Sequence, residues 1–312
     1  MRKIILNAGW CVWLSCVASP AQTPAATTPS AATAQVVILG TGTPIAYPER
    51  SGPAVAIVVN GSAYLVDFGP GVVRRAAAAA RDRHIDALRV SNLKIAFATH
   101  LHSDHTAGLA DLFLTPAVED RGAPLELYGP PGIASMARHI RAAYKKDIAL
   151  RVHGLEHGDA RAYKINAHEI KPGVVYKDAN VTVTAFAVRH GSWDHAYGYR
   201  FDAAGRSIVI SGDTAASPSV AEACHGCDLL LHEVYSEEWF RGRTVERQKY
   251  HSTFHTSTTA LAGVAAAAKP GLLVLYHQLF RPQDDPDVVL LDELKQAGYL
   301  GRVASAHDLD VF

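Results

Sequence analysis

Short apolar runs that end at turn-forming residues recur along the chain, and each of them predicts a β-strand. The predicted strands cover residues 35–39, 54–59, 63–67, 94–98, 125–128, 181–188, 197–201, 206–210, 229–231 and 272–276. Asn60 and Gly61, between the second and third strands, are a strong signal for a β-hairpin. The alternating pattern of the sixth strand is typical of a strand with one buried face.

Alanine-rich stretches with helical periodicity lie between these strands and predict α-helices. The predicted helices cover residues 72–82, 108–114, 133–146, 256–268 and 288–297. Residues 147–180 are polar and irregular, and we predict no element there. Pairs of strands followed by helices in both halves of the chain favour an α/β fold. We expect two mixed sheets covered by outer helices, in one domain over residues 35–312.

The first 34 residues differ in character from the rest. Arg2 and Lys3 precede a mostly apolar stretch over 4–17, and small residues follow at 18–21. This pattern predicts an export signal over 1–21, with an uncleaved membrane anchor as the alternative. Residues 22–34 are rich in alanine, threonine and proline, which predicts a disordered linker. We therefore expect a periplasmic or secreted protein.

The composition limits the classes of partner. The chain has 312 residues, and 30 Lys and Arg residues balance 30 Asp and Glu residues. This balance does not favour a nucleic-acid partner, and no membrane contact is expected beyond the export signal. Cys224 and Cys227 are the only cysteines after the signal. They could form a structural disulfide, stay as two free thiols or, less readily, serve a redox or zinc role.

The densest chemistry follows the strand at 94–98. The motif H-x-H-x-D-H places four potential ligands within six residues: His100, His102, Asp104 and His105. Imidazole and carboxylate together suit Zn²⁺ and similar cations, so iron and manganese remain open. Four ligands from so short a loop rarely bind one tetrahedral ion, and alternating residues are more suited to two ions. His190, Asp213, His232 and His277 then follow later strands, at sheet edges where α/β proteins commonly place their chemistry.

Several further motifs occur in a fixed order around these residues. They are L-G-T-G-T-P at 39–44, V-D-F-G-P-G at 66–71, L-Y-G-P-P-G at 127–132, G-Y-R at 198–200, S-G-D-T at 211–214, H-E at 232–233 and F-H-T-S at 254–257. With these motifs the chain resembles the metallo-β-lactamase superfamily and, more narrowly, its ribonuclease Z-like branch. The resemblance implies a four-layer αββα sandwich with a metal site at one edge.

The resemblance also implies a role for each candidate ligand. One zinc ion would be bound by His100, His102 and His190. The other would be bound by Asp104, His105 and His277, and Asp213 would bridge the two ions. Seven nitrogen and oxygen donors agree with this assignment, because they can hold two ions and leave room for a bridging hydroxide. Asp67, at a strand end, is a candidate to orient a ligand histidine or simply caps a turn.

Asp104, Glu233 and His255 are the candidate catalytic residues. In the ribonuclease Z-like branch a Glu in H-E pairs with a His that protonates the leaving oxygen, which implies Glu233 and His255 here. We expect the carboxylate to raise the pKa of His255. His251 is a rival for the same role, but His255 directly precedes the predicted helix at 256–268. His232 is expected to shape the adjacent loop.

The chain also departs from the ribonuclease Z-like branch. Enzymes that process tRNA in that branch carry a long arm between the positions of His190 and Asp213, and here only residues 202–207 separate two strands. We therefore expect a binuclear zinc hydrolase acting on a small-molecule ester, either a phosphodiester or an aryl sulfate. The alternatives are a lactonase or β-lactamase and, less readily, a non-catalytic zinc-binding protein. Trp193 and His195 could line the pocket, and a homodimer remains open.

Overall fold

Residues 34–312 are described by the computed structural model, and they form two β-sheets that face each other with helices on both outer sides. The predicted signal over 1–21 and all but the last residue of the predicted linker lie outside the described residues. Ala34, the last residue of that linker, is buried against the core between the sheets. No helix within 34–312 is both long and apolar enough to cross a bilayer.

The first sheet contains six strands arranged in chain order. They are β1 (Gln35–Gly40), β2 (Ala54–Val59), β3 (Ser62–Val66), β4 (Ile95–Phe97), β5 (Leu125–Gly129) and β6 (Ile165–Glu169). The first three pair antiparallel, and β3 to β6 pair parallel. Asn60 and Gly61 both have positive φ, 49° and 76°, as a type I′ turn requires. The predicted hairpin is therefore confirmed.

The second sheet contains seven strands, in the order β13-β12-β11-β10-β9-β8-β7. They are β7 (Gly173–Lys177), β8 (Val181–Ala187), β9 (Tyr197–Ala203), β10 (Arg206–Ile210), β11 (Leu229–Tyr235), β12 (Leu273–Leu279) and β13 (Val303–Ser305). Strands β7 to β10 pair antiparallel, and β10 to β13 pair parallel. Parallel strands send their carboxyl ends to one edge, and the functional residues lie at that edge.

Ten α-helices are found in residues 34–312. They are α1 (Val72–Asp82), α2 (Ser103–Thr106), α3 (Leu109–Val118), α4 (Ile133–Ala143), α5 (Lys145–His153), α6 (Pro218–Cys224), α7 (Glu237–Arg241), α8 (Val245–Phe254), α9 (Thr258–Ala268) and α10 (Pro286–Gln296). Helices α1, α3 and α4 pack on the first sheet, whereas α6, α9 and α10 pack on the second.

Apolar residues on both faces of the strands build three large cores. In β1, Val37 and Leu39 face the helices, whereas Val36 and Ile38 face the second sheet. A strand that is covered on both faces consists of consecutive apolar residues, and this pattern allowed the sequence to predict β1. Phe97 lies in the middle layer among several aromatic rings, and each such pair contributes about 0.5–1.5 kcal/mol beyond its buried area. The predicted αββα sandwich is confirmed.

Two segments differ from the sequence prediction. The single helix predicted over 133–146 is two helices, α4 and α5, which break at Tyr144. Residues 147–180, for which we predicted no element, contain the rest of α5 and the strands β6 and β7. Both strands lie at sheet edges and are partly exposed, and α5 has no fully buried residue. Elements that bury so little carry a weak hydrophobic pattern.

The second half also contains elements that the sequence did not predict. Helices α7 and α8 occupy 237–254, between β11 and the alanine-rich helix. Strands β11 and β12 extend beyond their predicted ends, so His232, Glu233 and His277 lie inside strands. The prediction that His232 shapes a loop is therefore wrong. Its ring is fully buried, and Nδ1 lies 2.6 Å from the carbonyl oxygen of Glu233.

Cys224 and Cys227 form a disulfide at the end of α6, and both side chains are buried. Of the open alternatives for these cysteines, the structure thus selects the structural pair. The bond closes a turn that leads directly into β11.

Candidate metal centre

Strand ends from both sheets bring seven nitrogen and oxygen donors to one edge of the sandwich. These are the candidate ligands His100, His102, Asp104, His105, His190, Asp213 and His277. All of them are buried except His102, which is partly exposed. Three strands of the second sheet (β8, β10 and β12) supply the last three donors, and β4 of the first sheet leads into the other four.

Helix α2 is a single turn that begins directly after His102, and it directs Asp104 and His105 into the interior. The turn can pack closely on the loop after β3 because Gly69 has no side chain. A Cβ atom at Gly69 would lie 2.5 Å from the carbonyl oxygen of Asp104. The glycine-rich motif at 66–71 therefore positions the ligand turn by close backbone contact.

The first group of donors consists of three imidazoles. His102 Nδ1 lies 2.9 Å from His100 Nε2 and 3.1 Å from His190 Nε2. Burial lowers the pKa of His190 to about 3 and the pKa of His100 well below its ordinary value. Both rings are thus neutral at physiological pH, which is the form that binds metal ions.

The second group combines two imidazoles with two carboxylates. Asp213 Oδ2 lies 3.4 Å from His105 Nε2 and 3.3 Å from His277 Nε2. Asp104 Oδ2 lies 3.5 Å and 3.3 Å from the same two nitrogens. Asp213 also lies within 4.8 Å of the donor atom of His100. Asp213 is therefore the carboxylate between the two groups.

Two features make the donor set suitable for metal ions: buried donor atoms that lack a hydrogen-bond partner, and carboxylates that attract positive charge. His105 Nε2 and Asp213 Oδ1 are buried without a hydrogen-bond partner in the described chain. Burial lowers the pKa of His105, yet the Asp213 and Asp67 carboxylates raise that pKa well above its ordinary value overall. A cluster that attracts positive charge so strongly, and offers imidazole and carboxylate donors, is suited to binding metal ions, typically zinc.

Hydrogen bonds on the far side of three rings leave the Nε2 atoms free for a metal ion. His105 Nδ1 lies 2.7 Å from Asp67 Oδ2, and His190 Nδ1 lies 2.8 Å from the carbonyl oxygen of Phe254. His100 Nδ1 lies 3.0 Å from Thr99 Oγ1, which itself donates to Asp67 at 2.8 Å. In a neutral imidazole, an Nδ1–H that donates to oxygen leaves Nε2 unprotonated, and this is the form that binds a metal ion. Of the two roles left open for Asp67, the structure shows the orienting contact.

Trp193 adds a contact to the remaining histidine of the first group. Its indole N–H donates to His102 Nε2 at 2.8 Å. Indole can only donate a hydrogen bond, so this contact requires an unprotonated Nε2 on His102. Neutral His102 then carries its proton on Nδ1, and that nitrogen cannot bind a metal ion. Metal binding at Nδ1 would therefore move one of the two rings. Trp193 thus lies at the site, whereas His195, the other proposed lining residue, is exposed and stacks near Tyr197.

Glu233 and His255 meet at the rim of the donor cluster. Glu233 Oε1 accepts from the backbone N–H of Thr256 at 2.8 Å and of Thr214 at 3.3 Å. Its other oxygen, Oε2, lies 3.4 Å from His255 Nδ1, and that nitrogen is 3.8 Å from Asp213 Oδ2. Glu233 therefore ties the loop after β10 to the loop after α8 and faces the imidazole between them.

The pKa of His255 shifts in the direction opposite to the expected one. Burial lowers the pKa of His255 to about 4, although Asp213 opposes this shift. Burial and then Asp213 raise the pKa of Glu233 well above its ordinary value. Both shifts favour the neutral forms of these two side chains. The predicted position of His255 directly before the helix is also wrong, since His255 directly follows α8 and lies two residues before Ser257, which caps α9.

His251, the rival for His255, lies elsewhere. Its ring packs against Trp239 with 4.6 Å between centroids, and it is 5.8 Å from the ring of His255. Among the described residues, no hydrogen bond or ion pair joins His251 to Glu233, which contacts His255 and Thr256 instead. Of the two histidines, His255 is the one beside the carboxylate.

Comparison with known proteins agrees with this geometry. A family model described as a β-lactamase superfamily domain matches residues 63–278, a range that includes all seven donors. The chain belongs to the metallo-β-lactamase superfamily. Ribonuclease Z from Mycobacterium marinum is 34% identical over 247 residues, which cover 78% of this chain and 85% of that protein. The resemblance to the ribonuclease Z-like branch is therefore confirmed, and this superfamily member is a metal-dependent hydrolase acting on ester bonds.

Solved structures share the fold of this metallo-β-lactamase superfamily member. The metallo-β-lactamase fold protein YhfI from Bacillus subtilis superposes with a TM-score of 0.64 at 17% identity, covering 90% of this chain and 99% of that one. A diphosphatase from the PhnP family superposes with a TM-score of 0.60 at 20% identity, covering 90% and 97%. At these identities the two structures support the fold alone.

Sequence reasoning missed an aromatic wall beside the metal centre of this hydrolase. Phe254 packs on His190 with 5.0 Å between ring centroids, and Tyr250 stacks on Phe254 at 4.4 Å. Gly191 makes room for the Phe254 ring, because a Cβ there would lie 2.0 Å from it. Both aromatic residues lie on α8, which has no amphipathic pattern and no buried residue. Thr244, whose side chain caps α8, was the one available signal.

Proposed function

We propose that this hydrolase holds two zinc ions and cleaves small anionic aryl esters, either phosphodiesters or sulfates, after export from the cytoplasm. The observation that carries the proposal is the Glu233–His255 pair at the rim of the donor cluster. Phosphoester and sulfate ester cleavage expels an alkoxide or phenoxide, and a positioned acid lowers that barrier. The same metal centre acting on lactams or lactones has less need of such an acid.

The seven donors divide naturally between two ions. His100, His102 and His190 would hold one ion. Asp104, His105 and His277 would hold the other, with Asp213 within reach of both. Zinc bound in such a site supplies Lewis acidity and an activated water at neutral pH. Iron or manganese would suit the same nitrogen and oxygen donors, so zinc itself is part of the proposal.

The leaving group would be protonated by the chain's own residues. Nδ1 of His255 faces Glu233, which leaves Nε2 as the ring nitrogen for a substrate oxygen. His255 gives the Nε2 proton to the oxygen that departs from phosphorus or sulfur. Glu233 returns a proton to Nδ1, so the ring stays neutral while the carboxyl group becomes a carboxylate. The leaving group thus departs as a neutral alcohol or phenol.

A short connection supports a small substrate rather than a folded RNA. Strands β9 and β10, which lie between His190 and Asp213, are joined through Ala204 and Gly205 by a tight turn. The chain therefore has no room in this connection for a substrate-gripping arm. The equal numbers of acidic and basic residues also do not favour a polyanion. A small substrate is proposed although the Mycobacterium marinum relative is named ribonuclease Z.

The aromatic wall supports an aryl group in the substrate, and Tyr250 provides its test. Stacking on an aromatic ring contributes about 0.5–1.5 kcal/mol beyond buried area, or roughly 2- to 10-fold in kcat/KM. Tyr250→Ala should therefore lower kcat/KM for a bis-aryl phosphodiester or an aryl sulfate by this factor and leave a dialkyl phosphodiester unchanged. Initial rates on this panel, together with a lactone and a β-lactam, measure both the substrate class and the stacking.

Tyr144→Ala is the matched control, because Tyr144 is similarly exposed, 41% against 38% for Tyr250, and lies outside the wall. It should leave every rate within twofold. Equal losses on aryl and alkyl esters would contradict the stacking role of Tyr250. Turnover of the lactone or the β-lactam alone would replace the proposed ester substrate with a carbonyl substrate.

Export is a separate part of the proposal and has its own test. The predicted signal over 1–21 motivates it, and a disulfide between Cys224 and Cys227 is consistent with an oxidising compartment. Expressed in a Gram-negative host, the protein should appear in the periplasm without residues 1–21. Cell fractionation with mass spectrometry of the intact chain measures this. A variant lacking residues 2–21 should remain in the cytosol, and full-length protein found there from the unchanged gene would refute export.

A further inference from the structure

A second concave site, which shares no residue with the metal centre, lies beside the edge of the first sheet. Helices α4 and α5 meet at Tyr144 and form two walls of a groove of about 1030 Å³. The chain entering β6 forms the third wall. Small-molecule sites typically enclose about 300–1,000 Å³, so the groove is as large as a typical binding site.

The charged side chains that line the groove are all basic. They are Arg138, Arg141, Lys145 and Lys164. No carboxylate of residues 34–312 lines the groove, although the chain has equal numbers of acidic and basic residues. Within residues 34–312 none of the four cations forms an ion pair, whereas arginines elsewhere commonly do.

Nearby carboxylates do not neutralise the groove. Asp147 and Glu156 both pair with Arg151, at 3.1 and 2.9 Å. Asp159 pairs with Arg161 at 2.8 Å. None of these five side chains lines the groove. The four lining cations are therefore free to bind an external anion.

The floor of the groove is apolar. Ala137 and Ile165 contribute from α4 and β6, and Ile148 and Val152 contribute from α5. Ile148 and Val152 follow Lys145 at helical spacing, so one face of α5 carries a cation and then an apolar strip. No residue of α5 is fully buried. An apolar strip that ends at cations is complementary to a molecule with an apolar chain and an anionic head.

We propose that this groove binds a monomeric amphiphilic anion, namely a single unbranched alkyl chain that ends in a carboxylate. The alkyl chain would cover the apolar floor, and the carboxylate would pair with Arg141 and Lys145 where the two helices meet. A second copy of this chain fits less well, because a two-fold contact would place the cations of both copies against each other. A nucleic acid fits less well because its phosphates follow polar surfaces and this floor is apolar.

Calorimetric titration of the full chain with dodecanoate below its micelle concentration tests the proposal. Dodecanoate should bind with one-to-one stoichiometry and at least tenfold more tightly than acetate, which lacks the chain, or dodecyltrimethylammonium, which has the opposite charge. Lys145→Glu should weaken binding at least tenfold. Lys146→Glu is the matched control on the same helix, since Lys146 does not line the groove, and it should change binding less than twofold.

A second pair of variants tests the apolar part independently. Ala149→Trp should fill the groove and abolish binding of dodecanoate, whereas Leu150→Trp, outside the lining, should not. Dodecanoate binding that is indifferent to Lys145→Glu and Ala149→Trp would overturn the proposal. Binding to phosphatidylglycerol vesicles without binding of the monomer would also overturn it and indicate a membrane surface. Binding of tRNA that is lost in Lys145→Glu, without dodecanoate binding, would indicate a nucleic-acid surface instead.

Discussion

Asp213→Ala should remove metal from both halves of the centre and lower ester hydrolysis by about 10³-fold or more, since Lewis-acid stabilisation by metal ions is worth several kcal/mol. Asp213 is fully buried and lies 3.3–3.4 Å from the donor nitrogens of His105 and His277. It is also within 4.8 Å of the donor atom of His100. No other carboxylate in the described chain takes part in both groups, so its loss would deprive both proposed ions of a charged ligand.

Elemental analysis of protein purified without chelator measures this effect. The unchanged protein should approach two transition-metal ions per chain, and Asp213→Ala should fall below one. Asp228→Ala is the control, because Asp228 directly precedes β11 at the amino end of that strand and its carboxylate accepts hydrogen bonds only from Ser207. It should keep both ions. A value of one ion in the unchanged protein, unaffected by added zinc, would be incompatible with a binuclear centre.

His255→Ala should slow cleavage of phosphodiesters or sulfate esters by about 10²–10⁴-fold, the usual contribution of general acid catalysis. Metal content should not change, because the seven donors do not include His255. The loss should shrink as the leaving phenol becomes more acidic, because a stable phenoxide departs without a proton. Rates measured across a series of substituted phenyl esters give this dependence directly, as a slope of log kcat/KM against the pKa of the leaving phenol.

Two further variants separate the acid from its surroundings. His251→Ala should have little effect, because His251 packs against Trp239 and not against Glu233. Glu233→Gln keeps the acceptor for the backbone N–H groups of Thr256 and Thr214 but cannot return a proton to His255. It should therefore show a smaller leaving-group-dependent loss with normal metal content. Full activity of His255→Ala on every ester would refute this mechanism, and a large loss in His251→Ala would reassign the acid.

The sequence alone was sufficient for the features that depend on neighbouring residues. Ligands spaced as closely as His100, His102, Asp104 and His105 lie near one another in any fold. Strands that are covered on both faces, such as β1 and β2, consist of consecutive apolar residues. Asn60 and Gly61 adopt the positive φ angles of a hairpin turn because of their own residue types. The order of the motifs then indicated the superfamily and the αββα layers. All of this information is local or is carried by periodicity.

Only the tertiary structure decided the features that depend on distant packing. The edge strands β6 and β7 and helix α8 bury too little to leave a pattern, so neither the groove nor the wall of Tyr250 and Phe254 was predicted. Burial also reversed the expected pKa shift of His255. A nearby carboxylate raises the pKa of an imidazole only when its attraction for the charged ring exceeds the cost of removing that ring from water. Desolvation depends on every group that packs around a residue. Those groups come from strands and loops far apart in the sequence, and only folding brings them together.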